Sequence, residues 1–290
     1  MIATIADVVD VRRYGPEGPA ELLIELPHGC TAVADYRRLA AQMRSTLPDD
    51  LEAFFCVNTD VGTPELGFAL AEILAGAGWR VVVVRSRLPR TLVDCNRTAD
   101  PERGAGLTGL MPSYVRDEAD ITLLTALHGA YLQVARAAWG EVLQSGGRGI
   151  SLHSYAPRSV PIERVTDSIV AELRRYWATP EALPLRPEID LIVVDRDGTL
   201  QADPALCAAL EAEYAAIALP VSRSATYRLH PVAFAGEMAL AAPLQVLTIE
   251  FRRDLLAAPW DPFCEMRIPT ERAASLAAPL ARALQSTRSA

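Results

Sequence analysis

Short apolar runs alternate with helical stretches along this chain, and the alternation limits the folds that it can adopt. Strand-like runs include "LLIEL" at 22–26, "VVVV" at 81–84 and "ISLHSY" at 150–155, and helical patterns such as "PELGFALAEILAG" at 64–76 separate them. Strands that alternate with helices predict a sheet covered by helices on both faces. Since no Gly-, Ser- or Pro-rich linker divides the chain, we expect a single domain over residues 1–290.

The composition excludes several classes of function. All 28 basic residues are arginine, which excludes any mechanism that needs a catalytic lysine, such as Schiff-base or pyridoxal chemistry. The formal charge is −8 and no basic stripe occurs, so we expect no nucleic-acid partner. The five cysteines form no CxxC pair, which indicates reduced thiols. Without a signal peptide or an apolar run of membrane-spanning length, we expect a cytoplasmic protein with no membrane partner.

Polar residues stand at the ends of the strand-like runs. They occur in "PHG" after the first run, in "NTD" within "AFFCVNTDVGT" at 53–63, which we interpret as a second strand, and in "SRLPR", "LHSY" and "IEFRR". Sheets of this class bind ligands in the crevice beyond the carboxyl ends of their strands. These polar residues are therefore the candidates for a functional site.

Two histidines, His28 and His153, lie at such strand ends. Two neutral imidazoles and one carboxylate can hold a catalytic zinc ion, with one position left for water. Residues this far apart in the sequence have no spacing signature, so an ordinary structural role for each histidine stays open.

An acid, Glu250, lies within the apolar run "QVLTIEFRRDLL", where burial without a partner is costly. Near a metal ion, such a carboxylate can act as a general base toward water. The alternative is a salt bridge to Arg252 or Arg253.

Three arginines, Arg87, Arg90 and Arg97, recur in "SRLPRTLVDCNR" at 86–97, where Asn96 precedes the last of them. The planar guanidinium fork matches a carboxylate, which favours a site for an acidic substrate. A solvated basic loop would explain the same residues.

A further motif, "LIVVDRDGTL" at 191–200, fits the DxDGT pattern of haloacid-dehalogenase-type phosphatases. Those enzymes carry the motif near the start of their domain, whereas Asp195 lies late in this chain and no lysine is available. We interpret the segment as a turn built on Asp-Gly.

Taken in order, these segments resemble the N-formylglutamate amidohydrolase family. The ordered set is more specific than any one motif, and it consists of "LLIELPHG", "TDVGTPELG", "SRLPRTLVDCNR", "LHGAYLQ", "LHSY" and "IEFRRDLL". More distantly, the chain is similar to the zinc carboxypeptidases. The resemblance implies an α/β fold of three layers, α-β-α, with a mixed, mostly parallel central sheet like that of the zinc carboxypeptidases.

The resemblance also implies roles for particular residues. It places one zinc ion on His28 and His153, the substrate carboxylate on Asn96 and Arg97, and the general base at Glu250.

The third zinc ligand departs from the carboxypeptidase pattern. Those enzymes place an acid three residues after the first histidine, where this chain has Thr31. The resemblance to the amidohydrolases favours Asp60 instead. Glu65 and Cys30 are the alternatives, although Glu65 also suits the first turn of the following helix.

The sequence thus predicts zinc-dependent hydrolysis of a linear amide in a small carboxylate-bearing molecule, such as an N-acyl or N-formyl amino acid. We expect Arg87 or Arg90 to stabilise the oxyanion and Tyr155 to line the pocket. His230 either reaches the site or lies in a surface turn. The alternatives are carboxypeptidase-like or amidase activity on short peptides or cell-wall fragments, and a metal-free binding protein of the same fold.

Overall fold

One seven-stranded sheet organises the protein. The computed structural model describes residues 5–102, 107–162 and 164–288. The strands are β1 (Val9–Tyr14), β2 (Leu22–Leu26), β3 (Val81–Ser86), β4 (Arg148–Tyr155), β5 (Ile189–Ile192), β6 (Val221–Arg223) and β7 (Val246–Arg252), in the order β1-β3-β2-β4-β7-β5-β6. The pairs β1–β3 and β5–β7 are antiparallel and the other pairs are parallel. The sheet is therefore mixed and mostly parallel, as predicted.

The central strands are apolar on both faces because helices cover both. In β2, Leu22 and Ile24 point into one core and Leu23 points into the other. Successive residues of a strand face opposite sides of a sheet, so a strand covered on both sides is apolar throughout. The prediction of an α/β fold with three layers is confirmed.

The helices divide between the two faces of the sheet. Those with bounds in the described part of the chain are α1 (Ile5–Val8), α2 (Val33–Ala40), α3 (Leu51–Asn58), α4 (Thr63–Gly76), α5 (Glu118–Gln144), α6 (Ile169–Trp177), α7 (Pro204–Ala215), α8 (Phe234–Ala241), α9 (Arg253–Leu256) and α10 (Thr270–Ser286). Helices α4, α7 and α10 share one core, whereas α2, α3, α5, α6 and α8 share the other. None of these helices is long and apolar enough to cross a lipid bilayer.

The prediction of a second strand within residues 53–63 is wrong, because residues 51–58 form helix α3. Leu51, Phe54 and Phe55 are spaced as on one face of a helix and are buried. A short apolar run does not distinguish a buried strand from a buried helix. Two short strands, β1 and β6, and helix α8 were also not predicted. Strand β1 is an edge strand in which half of the residues are exposed.

The DxDGT segment forms a tight turn. Asp195 donates its backbone N–H to the Thr199 carbonyl at 3.0 Å, and its Oδ1 accepts backbone N–H groups from Asp197 and Thr199. The turn interpretation of Asp-Gly therefore accounts for the local geometry.

Candidate metal centre

The candidate site lies at one edge of the four adjacent parallel strands, β3-β2-β4-β7. His28 follows β2, Asp94 lies in the loop after β3, and His153 is near the end of β4. Glu250 of β7 is the register partner of His153. Because parallel strands end at the same edge, residues far apart in the sequence converge here.

Three possible ligand atoms meet at this edge. The carboxylate Oδ2 of Asp60 lies 3.2 Å from His28 Nδ1 and 3.0 Å from His153 Nδ1. All three side chains are buried. In the described part of the chain, this is the one group of histidine, cysteine and acidic side chains close enough to share a metal ion. The alternative ligands Cys30 and Glu65 are not in it.

Asp60 reaches the cluster from the loop between α3 and α4, not from a strand end. Its Oδ2 accepts the Ser154 backbone N–H at 3.2 Å, and its Oδ1 accepts from Arg253 Nη2 at 3.2 Å. Burial alone raises the pKa of Asp60, but the nearby His28 and His153 outweigh it and hold this pKa well below its ordinary value. Asp60 is therefore an anion at neutral pH.

The second ring nitrogen of each histidine, Nε2, also has a hydrogen-bond partner. His28 Nε2 lies 2.7 Å from Asp94 Oδ1, and His153 Nε2 lies 3.1 Å from Ser151 Oγ. Burial raises the pKa of Asp94, but Arg90, Arg97 and His28 hold it well below its ordinary value. Asp94 thus engages His28 Nε2, and Nδ1 is the ring nitrogen that faces Asp60.

This donor set fits a divalent metal ion. Two imidazole nitrogens and a carboxylate oxygen are common zinc ligands, and atoms bound tetrahedrally at about 2.0–2.1 Å lie roughly 3.3 Å apart. The separations of 3.0 and 3.2 Å from Asp60 Oδ2 are close to that spacing. Hydrogen bonding of the outer imidazole nitrogen to a carboxylate is also typical of zinc histidines.

Glu250 lies beside the cluster without an ion pair in the described part of the chain. Arg252 pairs with Glu188 and Asp254, and Arg253 pairs with Asp60, so neither forms the salt bridge considered for Glu250. The Oε2 atom of Glu250 is buried and has no hydrogen-bond partner there.

The environment of Glu250 suits proton transfer near neutral pH. Burial raises the pKa of Glu250 to about 7; the charge of His153 opposes this rise and that of Asp60 adds to it. Such a carboxyl group can both accept and release a proton near pH 7.

Arg90 and Arg97 flank the cluster. Arg90 Nε donates to Asp94 Oδ2 at 3.1 Å, and its Nη1 lies 3.8 Å from Asp60 Oδ1. Arg97 is buried and donates to the carbonyl oxygens of Thr108 and Asn96, both at 2.9 Å. Its guanidinium group is thus largely engaged within the protein.

A cavity of about 380 Å³ opens onto this cluster. Most of the predicted site residues line it, namely His28, Arg90, Asn96, Arg97, His153, Tyr155, His230 and Glu250. Apolar side chains also line it, among them Phe54, Val165, Leu173 and Trp177. Clefts of this size with a few polar groups are typical of sites for small molecules.

Three of the predicted site residues form hydrogen bonds with other parts of the protein. The Tyr155 hydroxyl donates to the Pro187 carbonyl at 2.7 Å. His230 is buried, and its Nδ1 accepts the Val232 backbone N–H at 3.2 Å, so it does not lie in an open surface turn. Arg87 is not among the residues that line the cavity, and its Nη2 donates to Asp35 Oδ1 at 2.6 Å.

Sequence reasoning missed two charged residues that contact the cluster, Asp94 and Arg253. Asp94 carries the same signal that drew attention to Glu250, an acid within the apolar stretch "TLVDC". Arg253 was considered only as a partner of Glu250. Its contact with Asp60 joins residues far apart in the sequence, and no local sequence pattern predicts such a contact.

The fold and the cluster define an α/β protein with a His–Asp–His group at the carboxyl edge of a mostly parallel sheet. Solved structures share this fold. The chain matches an N-formylglutamate amidohydrolase from Ralstonia eutropha with a TM-score of 0.55 and 19% identity, over 94% of each chain. It matches the gene product Atu2144 from Agrobacterium tumefaciens with a TM-score of 0.57 and 19% identity, over 99% of each chain.

The predicted structural resemblance to the N-formylglutamate amidohydrolases is confirmed at the level of the fold. No family model matches the chain, and no curated protein matches it.

Proposed function

We propose that this protein is a metal-dependent amidohydrolase that cleaves a linear amide in a small carboxylate-bearing molecule, such as an N-acyl or N-formyl amino acid. The observation that supports this most is the placement of Glu250, with a pKa of about 7, next to three converging ligand atoms in a cavity. In this proposal His28, Asp60 and His153 hold one zinc ion, which would polarise an amide carbonyl and acidify water.

Glu250 supplies the proton transfers. Its carboxylate accepts a proton from the attacking water and passes it to the leaving nitrogen. The raised pKa suits this double role, because one group must act first as base and then as acid. Its Oε2, which has no partner in the described part of the protein, is the atom assigned to this task.

Arg90 is the candidate for stabilising the oxyanion. Its side chain is partly exposed where it lines the cavity, and its pairing with Asp94 holds it in place. A single well-placed donor contributes about 3 kcal/mol to stabilisation of the transition state. The alternative, Arg87, pairs with Asp35 outside the cavity lining, so we assign the role to Arg90.

The remaining cavity residues fit a substrate with an apolar part and a carboxylate. The apolar lining residues, such as Phe54 and Trp177, can contact carbon chains and reduce access of water. Asn96 and Arg97 are the residues that the family resemblance assigns to the carboxylate, and that role stays a prediction.

Metal analysis and a substrate panel test the proposal together. Protein purified without chelator should contain about one zinc ion per chain, and His153→Ala should lose most of it because a ligand is removed. The panel contains N-formyl amino acids, N-acetyl amino acids and dipeptides, and zinc removal should abolish hydrolysis. Zinc-loaded protein that cleaves no member of the panel would contradict the amidohydrolase assignment.

A further inference from the structure

The site contains an arginine that no sequence motif indicated. Arg186 precedes β5 and lines the cavity. Its backbone is held on both sides, because its N–H donates to the Pro157 carbonyl at 2.9 Å and its carbonyl accepts from Arg252 Nη1 at 3.0 Å. The position of its side chain relative to the sheet edge is therefore defined by the fold.

Two tyrosines orient the Arg186 guanidinium. It lies over the Tyr155 ring with its carbon 5.0 Å from the ring centroid, and it is 5.8 Å from the centroid of Tyr227. Its Nη2 donates to the Tyr227 hydroxyl at 3.0 Å. Contact with aromatic faces reduces the freedom of a guanidinium while leaving its edge N–H groups able to donate.

Arg186 has no carboxylate partner in the described part of the chain, unlike the other cations next to the cluster. Arg90 pairs with Asp94, and Arg253 pairs with Asp60. Arg97 donates to two carbonyl oxygens, and its Nη2 lies 3.9 Å from Asp94. Among these cations, Arg186 is therefore the one whose charge is not balanced by a carboxylate of the described residues.

Its location also suits a substrate group close to the reacting atoms. Arg186 and Glu250 both line the cavity, and β5, which follows Arg186, pairs with β7 so that Asp190 is the register partner of Glu250. An anion bound to this guanidinium would thus lie in the same cavity as the proposed base.

We propose that Arg186 binds the carboxylate of the substrate through two guanidinium N–H groups and is the residue that selects carboxylate-bearing amides. This inference rests on the proposed function. It assigns to Arg186 the contact that the family resemblance assigns to Arg97.

The test compares binding of a carboxylate with binding of its amide. We would measure Kd by calorimetry for N-formyl-L-phenylalanine and N-formyl-L-phenylalaninamide with zinc-loaded protein carrying Glu250→Gln, so that turnover does not interfere. The carboxylate should bind roughly 10- to 100-fold more tightly than the amide, which is the range for hydrogen bonds to a charged group. Arg186→Leu in this background should reduce that ratio to about one.

Three matched variants distinguish Arg186 from other residues that could bind the carboxylate. Arg158→Leu removes a second cavity arginine, whose Nη1 donates to the Leu183 carbonyl at 2.6 Å. Arg97→Ala removes the residue favoured by the resemblance. Arg267→Leu removes one positive charge from an exposed position outside the lining of this cavity. The carboxylate preference should survive Arg158→Leu and Arg267→Leu. Arg97→Ala compares the two assignments directly, because the preference persists in it if Arg186 binds the carboxylate and disappears if Arg97 does.

The outcomes are distinct. Three results would each overturn the assignment to Arg186. The carboxylate preference could persist in Arg186→Leu, it could disappear in Arg158→Leu or Arg97→Ala, or it could be absent from the protein that carries Glu250→Gln alone. If Arg186→Leu does not fold, Arg186→Lys replaces it, and the preference should fall because the ammonium lacks the planar fork; an unchanged ratio also overturns the assignment. Failure of the unsubstituted protein to hydrolyse any amide refutes the proposed function instead, because that measurement does not involve Arg186.

Discussion

Replacing the buried Glu25 would test the electrostatics beneath the candidate metal centre. Glu25 lies in β2 with no exposed surface, and it accepts hydrogen bonds from Tyr131 Oη at 2.8 Å and Trp139 Nε1 at 3.2 Å. Burial raises the pKa of Glu25, and the bond from Tyr131 and the charge of His153 only partly oppose this. The folded protein therefore holds this proton at pH values where the unfolded chain releases it.

The sign of the pH effect follows from this difference. Between the ordinary pKa of 4.5 and the raised value, the folded state binds more protons than the unfolded chain. The contribution of Glu25 to the free energy of unfolding therefore falls as pH rises, by at most about 1.4 kcal/mol per pH unit. Below the ordinary pKa this contribution to stability is fully present.

Glu25→Gln removes the titration and keeps the packing. The amide can turn its oxygen toward Trp139, which only donates, and its nitrogen toward Tyr131 Oη, which can accept. The stability of this variant relative to the unsubstituted protein should increase as pH rises above the ordinary pKa of 4.5. Glu25→Leu leaves both donors without this acceptor and should cost about 2–6 kcal/mol, at about 1–3 kcal/mol for each donor.

Urea unfolding of the three proteins across this pH range measures both effects. A stability difference between Glu25→Gln and the unsubstituted protein that stays constant with pH would show that the pKa of Glu25 is not raised in the folded state. A Leu variant as stable as the Gln variant would show that the two hydrogen bonds do not contribute to stability.

Two further predictions concern the cluster and the proposed base. Asp60→Asn should weaken zinc binding by more than roughly 100-fold because an anionic ligand is lost, whereas Glu65→Gln, in the first turn of α4, should leave zinc affinity unchanged. Competition with a zinc indicator measures both affinities, and the reverse pattern would identify Glu65 as the third ligand. Glu250→Gln should keep its zinc and show no loss of melting temperature while kcat falls by roughly 100-fold or more, and an unchanged kcat would rule out Glu250 as the base.

Much of the architecture could be predicted from the sequence because its signals are local. Apolar runs such as Val81–Ser86 and the helical period of Glu118–Gln144 depend on neighbouring residues along the chain. The same holds for the chemistry of single positions, since an imidazole after a strand or an acid in an apolar run is visible in the sequence alone. His28, His153 and Glu250 were singled out in this way before the structure placed them together.

The arrangement of the site depended on tertiary structure. Asp60 follows a helix rather than a strand, and it lies between His28 and His153 because the α3–α4 connection crosses the carboxyl edge of the sheet. Asp94 supports His28 through a contact between residues from separate loops.

The pairing of charges was decided in the same way. Arg253 pairs with Asp60 rather than Glu250, and Arg186 is left without an acid partner in the described part of the chain. The physical reason is that a hydrogen bond or an ion pair depends on distance and burial in space, and neither is encoded by spacing along the chain. The sequence therefore determined which side chains were available, and the packing of helices on the sheet decided which of them meet.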